Sequence, residues 1–451
     1  MRTHTKNPFA FSTLALALSA TATLTGPAYA QSEQLVLEEV IVTAQKREQS
    51  LQDVPISVTA FTADVIDRAG ITDFADYAMK TPNLGFQQRG NRAETKFSIR
   101  GITNIGGQAN SVGMYVDEVS VTPNVITTGQ SRTADLSLLD IERIEVLRGP
   151  QGTFVGRNTM GGAISITTEK PDLTEAFGKV TIEAGEYDYY KIRAMGNAPL
   201  GDTVALRGAA YYDENDGFID NKGPSDASNA SENKGARLAL RWEPNSDLVA
   251  DFTAQYSENQ QDYPALVPTG ILAEIPSLIV EEAGFLFDIF DLPPWPLENV
   301  DFYPDNYTDT ATDLPREMDN ETAMLTARFE YDFGDILLTS VTGYIDNDFE
   351  QSGEGDASVA PAFYVSRESD LEELSQEFRL ASEGNERLDW MVGFIYSDDE
   401  TNETDLSTHL LTDPYLAIWD AVGILEFGLP GSIGDIIANG PTGVSAGNFE
   451  D

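Results

Sequence analysis

IERIEVLRGPQGTFVGRNTMGGAISITTEKP, Ile141 to Pro171, decides how this 451-residue chain is read. Ile141, Arg143, Glu145 and Leu147 alternate with Glu142, Ile144 and Val146, the period-two pattern of a strand. Gly149-Pro150-Gln151-Gly152, Gly156 and Gly161-Gly162 follow, supplying positive-φ or close-approach backbone positions. A second strand, Ala163 to Thr168, comes next. A phosphate-cradling loop needs GxxxxGK[ST] with a helix behind it. Neither occurs, so the glycines read as a turn between strands.

Upstream, Met114 to Val121 reads as a strand whose Asp117-Glu118 pair makes a turn, and Phe97 to Arg100 as another. Ile56 to Phe61 alternates as a strand. A helix follows with Asp64 near its start, then a second around Asp73 to Met79. Gly70 separates the two, and Pro82-Asn83 marks the stop. Residues 50–171 therefore predict a small α+β domain.

Downstream of Ala176 the pattern changes to strands of about ten residues. The candidates are 177–185, 188–198, 203–212, 234–243, 248–258, 321–332, 336–347, 371–381 and 388–398. Ala236, Leu238, Leu240 and Trp242 share one face, with Arg237, Ala239, Arg241 and Glu243 opposite. Phe252, Ala254 and Tyr256 repeat the pattern, as do Leu325, Ala327, Phe329 and Tyr331, and then Trp390, Val392, Phe394 and Tyr396. Connection lengths give an independent test. Even-numbered strands end in tight turns (Gly201-Asp202, Asn245-Ser246, Gly334-Asp335, Glu383-Gly384-Asn385). Odd-numbered strands, after a short first connection, end in the long segments 213–233, 259–320, 348–370 and 399 onward. That parity is expected of a membrane barrel with short turns on one side and long loops on the other. A soluble sandwich has no reason to obey it.

The first thirty residues carry Arg2, His4 and Lys6, an apolar core from Phe9 to Leu24, and Ala28-Tyr29-Ala30. That is the layout of a cleaved secretory signal. No later run of 18 or more apolar residues marks a helical span. The chain has no cysteine and two histidines, so disulfides, thiolate metal sites and thiol catalysis are excluded. His409, in an acidic polar stretch, reads as a solvated loop residue. Charge is uneven: residues 1–170 carry 17 acids and 15 bases, residues 171–451 carry 57 and 13, giving −46 overall. So acidic a surface repels nucleic acid phosphates.

Glu39, Val40, Ile41, Val42, Thr43 and Ala44 lie 9 to 14 residues past the cleavage site, followed by Gln45-Lys46-Arg47. A β-branched pair flanked by charge near a free end suits strand addition onto a partner's sheet edge.

Taken in order, the signal, EEVIVTAQKR, SIRGITN…VGMYVDEV and RGPQGTFVGRNTMGGAISI resemble the N-terminal part of TonB-dependent outer-membrane receptors. The resemblance covers nearly the whole of residues 50–171. It implies an α+β plug domain followed by an antiparallel transmembrane β-barrel of about 22 strands, incomplete here. The expected organisation is 1–30 signal peptide, 31–49 linker with the TonB box, 50–171 plug, and 172–451 the N-terminal part of the barrel. Nine strands do not close over a plug, so the expectation is a truncated receptor that alone neither inserts stably nor transports. The resemblance further implies that residues 39–44 are gripped by TonB, and that cargo is imported to the periplasm at the expense of the inner-membrane proton gradient. It implies no catalysis and no resident cofactor. Arg100 and Arg148 match plug arginines that pair with barrel glutamates, and Glu377 is the expected partner, with Glu142 or Glu145 the alternative inside the plug. The long segment 259–320 is expected outside, where Tyr263, Trp295, Tyr303 and Tyr307 offer aromatic faces to a small-molecule or metal-chelate cargo. A loop with its own small core explains those aromatics equally well. A ferric siderophore is the commonest cargo of the family.

Two rival classes and a remnant reading remain at this point. A passive porin or adhesin barrel explains the strand parity but not the plug and the box. A secreted all-β hydrolase finds acids in plenty but no compact constellation of them. A nonfunctional remnant would keep the ancestry without the transport.

Overall fold

Capping residues set the two helices where the sequence puts them. The computed structural model describes residues 40–43, 46–47, 49–71, 73–88, 95–103, 110–122, 139–221, 229–262, 309–310, 317–354, 363–383 and 388–409. Helix α1 (Ala63–Ala69) closes on Gly70 at φ 63°, the left-handed conformation that glycine adopts without strain. Helix α2 (Phe74–Lys80) opens on a reciprocal capping box between Asp73 and Asp76.

Nine strands accompany these helices: β1 (Ile41–Val42), β2 (Gln49–Ser50), β3 (Ser57–Thr62), β4 (Leu84–Gln88), β5 (Thr95–Ile99), β6 (Val112–Val116), β7 (Val119–Ser120), β8 (Ile141–Arg148) and β9 (Gly162–Thr168). Five form one sheet in the order β3-β8-β9-β6-β7, while β1 pairs with β2 and β4 with β5. Asp117 and Glu118 both take positive φ, 47° and 72°, so the expected turn joins β6 to β7. Gly162 sits where β8 and β9 approach closely: a Cβ there would lie 2.2 Å from the Leu147 carbonyl oxygen. The glycine after the RGPQG turn is therefore a packing requirement.

The second region is one antiparallel sheet of nine consecutive long strands. These are β10 (Phe177–Ala184), β11 (Tyr190–Pro199), β12 (Val204–Asn215), β14 (Ser231–Trp242), β15 (Leu248–Asp262), β17 (Glu317–Asp332), β18 (Ile336–Glu354), β19 (Phe363–Ser382) and β20 (Met391–His409). Two short segments, β13 (Asp220–Asn221) and β16 (Asp309–Thr310), pair in parallel. Every expected strand is present, but most run longer than their hydropathy pattern. Segment 348–370, read as a loop, is largely ladder: Asp348 pairs with Asp370 and Glu350 with Glu368. Backbone pairing continues there although polar side chains outnumber apolar ones such as Phe349, which erases the alternation on which the sequence reading depends.

The alternation that remains sorts the two faces. Val180, Leu238, Phe252, Leu325, Phe378, Val392 and Phe394 are exposed on the outer face. An exposed apolar band on the convex side is what a lipid-facing barrel wall presents. Among the described residues no helix is long and apolar enough to cross a membrane, which leaves crossing by strands untouched. Beyond the band the same face turns acidic, where Glu258, Asp319 and Glu321 gather and Lys234 pairs with Glu258 at 2.7 Å.

The inner face is covered by the first domain. Met324, Val341 and Ile345 of β17 and β18 share one buried cluster with Phe74, Tyr77, Phe97, Ile99, Met114 and Ile144. Val119 of β7 lies so close to β18 that a Cβ on Gly343 would fall 2.4 Å from its side chain. Gly343→Ala is therefore expected to push β7 off the wall at a cost of about 1–3 kcal/mol, the usual penalty for overpacking. Thermal unfolding of the variant checks this; an unchanged midpoint would mean that β7 is free to shift.

Candidate coupling site between the first domain and the sheet

Five inward-facing arginines stand on the sheet near its short turns: Arg207 (β12), Arg237 and Arg241 (β14), Arg328 (β17) and Arg379 (β19). In a region with so few cations their placement matters, because most receive an acid from the first domain.

Asp140, one residue before β8, is gripped by two strands. Arg207 donates to both of its carboxylate oxygens, from Nε at 2.8 Å and Nη2 at 2.6 Å. Arg237 donates to the same carboxylate and, at 3.1 Å, to the Asp140 carbonyl. Side-chain exposures of 2% for Asp140, 2% for Arg237 and 8% for Arg207 make this cluster dry.

Glu118, at the β6–β7 turn, is wetter at 20% exposure and meets three cations. Lys46 lies 2.9 Å away, and Arg328 and Arg379 contact it from the sheet. Burial pushes this carboxyl up, but Lys46, Arg328 and Arg379 together outweigh that and hold it well below the usual range. Its neighbour Asp117 points back into its own domain. It accepts from the Thr168 N–H at 3.0 Å and the Thr168 hydroxyl at 2.6 Å, and Lys170 lies 3.1 Å away.

Arg157, beyond the RGPQG turn, reverses the polarity. Its guanidinium reaches Glu373 of β19 at 2.6 Å and Asp399 of β20 at 2.8 Å. The Tyr115 hydroxyl fixes the same loop by donating to the Arg157 carbonyl at 2.8 Å.

Residues 40–43 and 46–47 complete the site as a docked strap. β1 pairs Ile41 with Ser50 and Val42 with Gln49. Val42 is fully buried and packs with Val54, Tyr115 and Leu147. The Thr43 N–H donates to Glu145 Oε1 at 2.8 Å. Lys46 bridges Glu118 and, at 3.2 Å, Glu377 of β19. Arg47 contacts Asp389 and the Trp390 carbonyl, between β19 and β20. The strap thus touches both the first domain and the wall.

The sequence-derived site residues fall as follows. Val40 to Thr43 belong to the strap, whereas Glu39 and Ala44 lie outside the described residues, as do Tyr263, Trp295, Tyr303 and Tyr307. Glu377 does face inward, but its cations are Lys46 and Arg379, not Arg100 or Arg148. The Arg100 N–H donates to the Asn83 carbonyl at 2.9 Å, and Arg148 donates to the Pro82 carbonyl at 3.3 Å. The reason is position along the sheet. Glu377 lies at the Arg143 end of β8 beside the β6–β7 turn, and Arg148 sits about 16 Å further along the same strand. The alternative pairing inside the domain also differs, since Glu142 and Glu145 both meet Arg143. In the sequence Glu118 reads only as a turn residue, and Arg157 and Asp140 carry no signal of their own. The usable signal was the reverse one: Arg237 at a lumen position of an otherwise acidic module, whereas Arg241 beside it pairs within the wall with Asp251.

A domain seated against the inner face of a lipid-facing sheet defines the class of plugged outer-membrane β-barrels. Within it, residues 50–163 match the TonB-dependent receptor plug domain, and the chain presents that plug with nine consecutive barrel strands of the TonB-dependent receptor fold. It is 30% identical over 178 residues to the pesticin receptor of Yersinia pestis, covering 39% of this chain and 25% of the relative. It is 28% identical over 210 residues to the vitamin B12 transporter BtuB of Vibrio vulnificus, covering 45% and 32%. The ferric yersiniabactin uptake receptor FyuA from Yersinia pestis superposes with a TM-score of 0.60 at 19% identity, over 79% of this chain and 50% of that one. The ferripyoverdine receptor of Pseudomonas aeruginosa gives 0.60 at 16%, over 83% and 46%. At those identities the structural likeness is one of fold. The chain spans a quarter to a third of these curated relatives and about half of the solved receptors.

Proposed function

We propose that this chain is part of an outer-membrane active importer, in which residues 39–44 are the contact for the energy-transducing partner TonB. The observation that carries the reading is the strap: a segment of strand-forming residues docked on the plug and the wall at once, ahead of a plug seated on the sheet by ion pairs. A pull on such a segment reaches both bodies. In this reading residues 1–30 are removed on export, the protein resides in the Gram-negative outer membrane, and it moves cargo without chemical conversion. The cargo is a small molecule or metal chelate, with a ferric siderophore favoured because the structural neighbours include a ferric yersiniabactin uptake receptor and a ferripyoverdine receptor. Tyr263, Trp295, Tyr303 and Tyr307 are proposed as cargo-facing aromatics, and Glu377, held by Lys46 and Arg379, as a charged group that re-pairs when the plug moves.

Deleting residues 39–44 from the receptor expressed from its own locus is the test. Uptake of labelled cargo is expected to vanish while cargo binding to whole cells stays at the parental level. Uptake that persists after the deletion would mean a passive channel and would remove the energy-coupled reading.

A further inference from the structure

Glu145 stands in the middle of the plug sheet on β8, fully buried, and the import reading leaves it without a task. Its Oε1 collects three donors: the Thr43 N–H at 2.8 Å, the Thr43 hydroxyl at 3.2 Å and Arg143 Nε at 2.9 Å. Its Oε2 is buried and has no hydrogen-bond partner among the described residues. Arg143 closes the triangle by donating from Nη2 to the Thr43 hydroxyl at 3.0 Å. Thr43 immediately follows β1, and two of the three donors on this carboxylate come from it.

We propose that Glu145 is the clasp that keeps residues 40–43 docked, and that loosening it releases the segment for strand addition. A partner strand needs free main-chain groups on the segment it joins. In the docked state the Thr43 N–H is committed to Glu145, Val42 is sunk among Val54, Tyr115 and Leu147, and the Val40 carbonyl accepts from the Leu51 N–H at 2.9 Å. The clasp is also poised. A buried carboxylate with one oxygen unpaired is only half compensated, and water entering as the strap leaves would satisfy that oxygen. Docking therefore holds against a built-in cost, which suits a segment that has to leave and return. The consequence for a partner rests on the proposed reading of residues 39–44; the clasp itself does not.

The chain has no cysteine, so Ile41→Cys, at a position 43% exposed, gives a unique site for a nitroxide label in the full chain. In the parent the label should be immobilised. Glu145→Gln removes the charge-assisted bonds and should lower the docked-to-released ratio about tenfold or more. Thr43→Val removes only the hydroxyl, lies outside the five-stranded sheet, and should lower it severalfold, so the readout survives if Glu145→Gln disturbs folding. A label that stays immobile in both variants overturns the clasp. If the label is mobilised but a purified periplasmic partner domain does not cross-link to position 41, the clasp stands and the partner reading of the segment falls.

Discussion

Asp140→Asn is expected to unseat the plug by about 3–5 kcal/mol, the cost of leaving buried charge unpaired. The substitution keeps shape and removes one charge. Asp140 sits at φ 56°, a left-handed position that Asn tolerates as well as Asp does, so backbone strain does not confound the result. What is lost is the acid facing two guanidiniums in a nearly dry cluster, with Arg237 2% exposed and, among the described residues, donating besides only to the Asp140 and Glu169 carbonyls. Both arginines lose their directly bonded carboxylate and keep only more distant charges such as those of Glu169 and Asp117. Limited trypsin digestion should report a rise of about a hundredfold or more in the open population, since about 1.4 kcal/mol is a factor of ten. A variant as resistant as the parent would show that β12 and β14 do not hold the plug through this residue.

Glu118→Gln should have the second largest effect and act at the strap end. The expected cost is smaller, about 1.5–3 kcal/mol for lost charge-assisted bonds, for two reasons. The site is wetter, and Glu377 remains to serve both Lys46 and Arg379. The same residue gives a pH dependence with a definite sign. Because the folded protein holds this carboxyl well below its ordinary value, its contribution is fully present above that value, about 4.3 for glutamate. It is lost as pH falls further, through the depressed folded value. Hydrogen exchange of residues 43 and 46–47 should therefore quicken as pH falls from about 5 to about 3, after correction for intrinsic rates, in the parent. In Glu118→Gln it should already be fast at about pH 5 and show a weaker acid dependence. Identical profiles would place the acid sensitivity elsewhere.

Local rules carried the sequence reading far. Gly70 and Asp73 marked the helix boundaries, Asp117-Glu118 marked a turn, and the alternation through Leu238, Phe252, Leu325 and Phe394 located strands of the wall. Each of these signals is complete within about ten residues of chain. The plug–wall pairs are not. Asp140 meets Arg207 and Arg237 across 67 and 97 positions, and Glu118 meets Arg379 across 261. Which acid finds which arginine depends on strand tilt and on how far the plug is inserted, and no single stretch of sequence records either. The same limit explains the misassigned partners of Glu377. Arg148 has the right chemistry but the wrong height along β8, while Lys46, three residues past Thr43, swings into place only because the strap docks. The polar outer halves of β18 and β19 were missed for a different reason, since main-chain ladders persist where side-chain patterning stops.

The proposed import mechanism requires the strap to leave the wall before cargo passes. Cysteines at Arg47 and Asp389, whose side chains are in contact across the strap and the β19–β20 turn, would be the two thiols in an otherwise cysteine-free chain. Bridging them with a short thiol-specific cross-linker pins the strap in place. Uptake of labelled cargo by cells carrying the receptor should then stop while cargo binding is retained, with each single-cysteine control transporting normally. Parental uptake with the strap pinned would contradict the account.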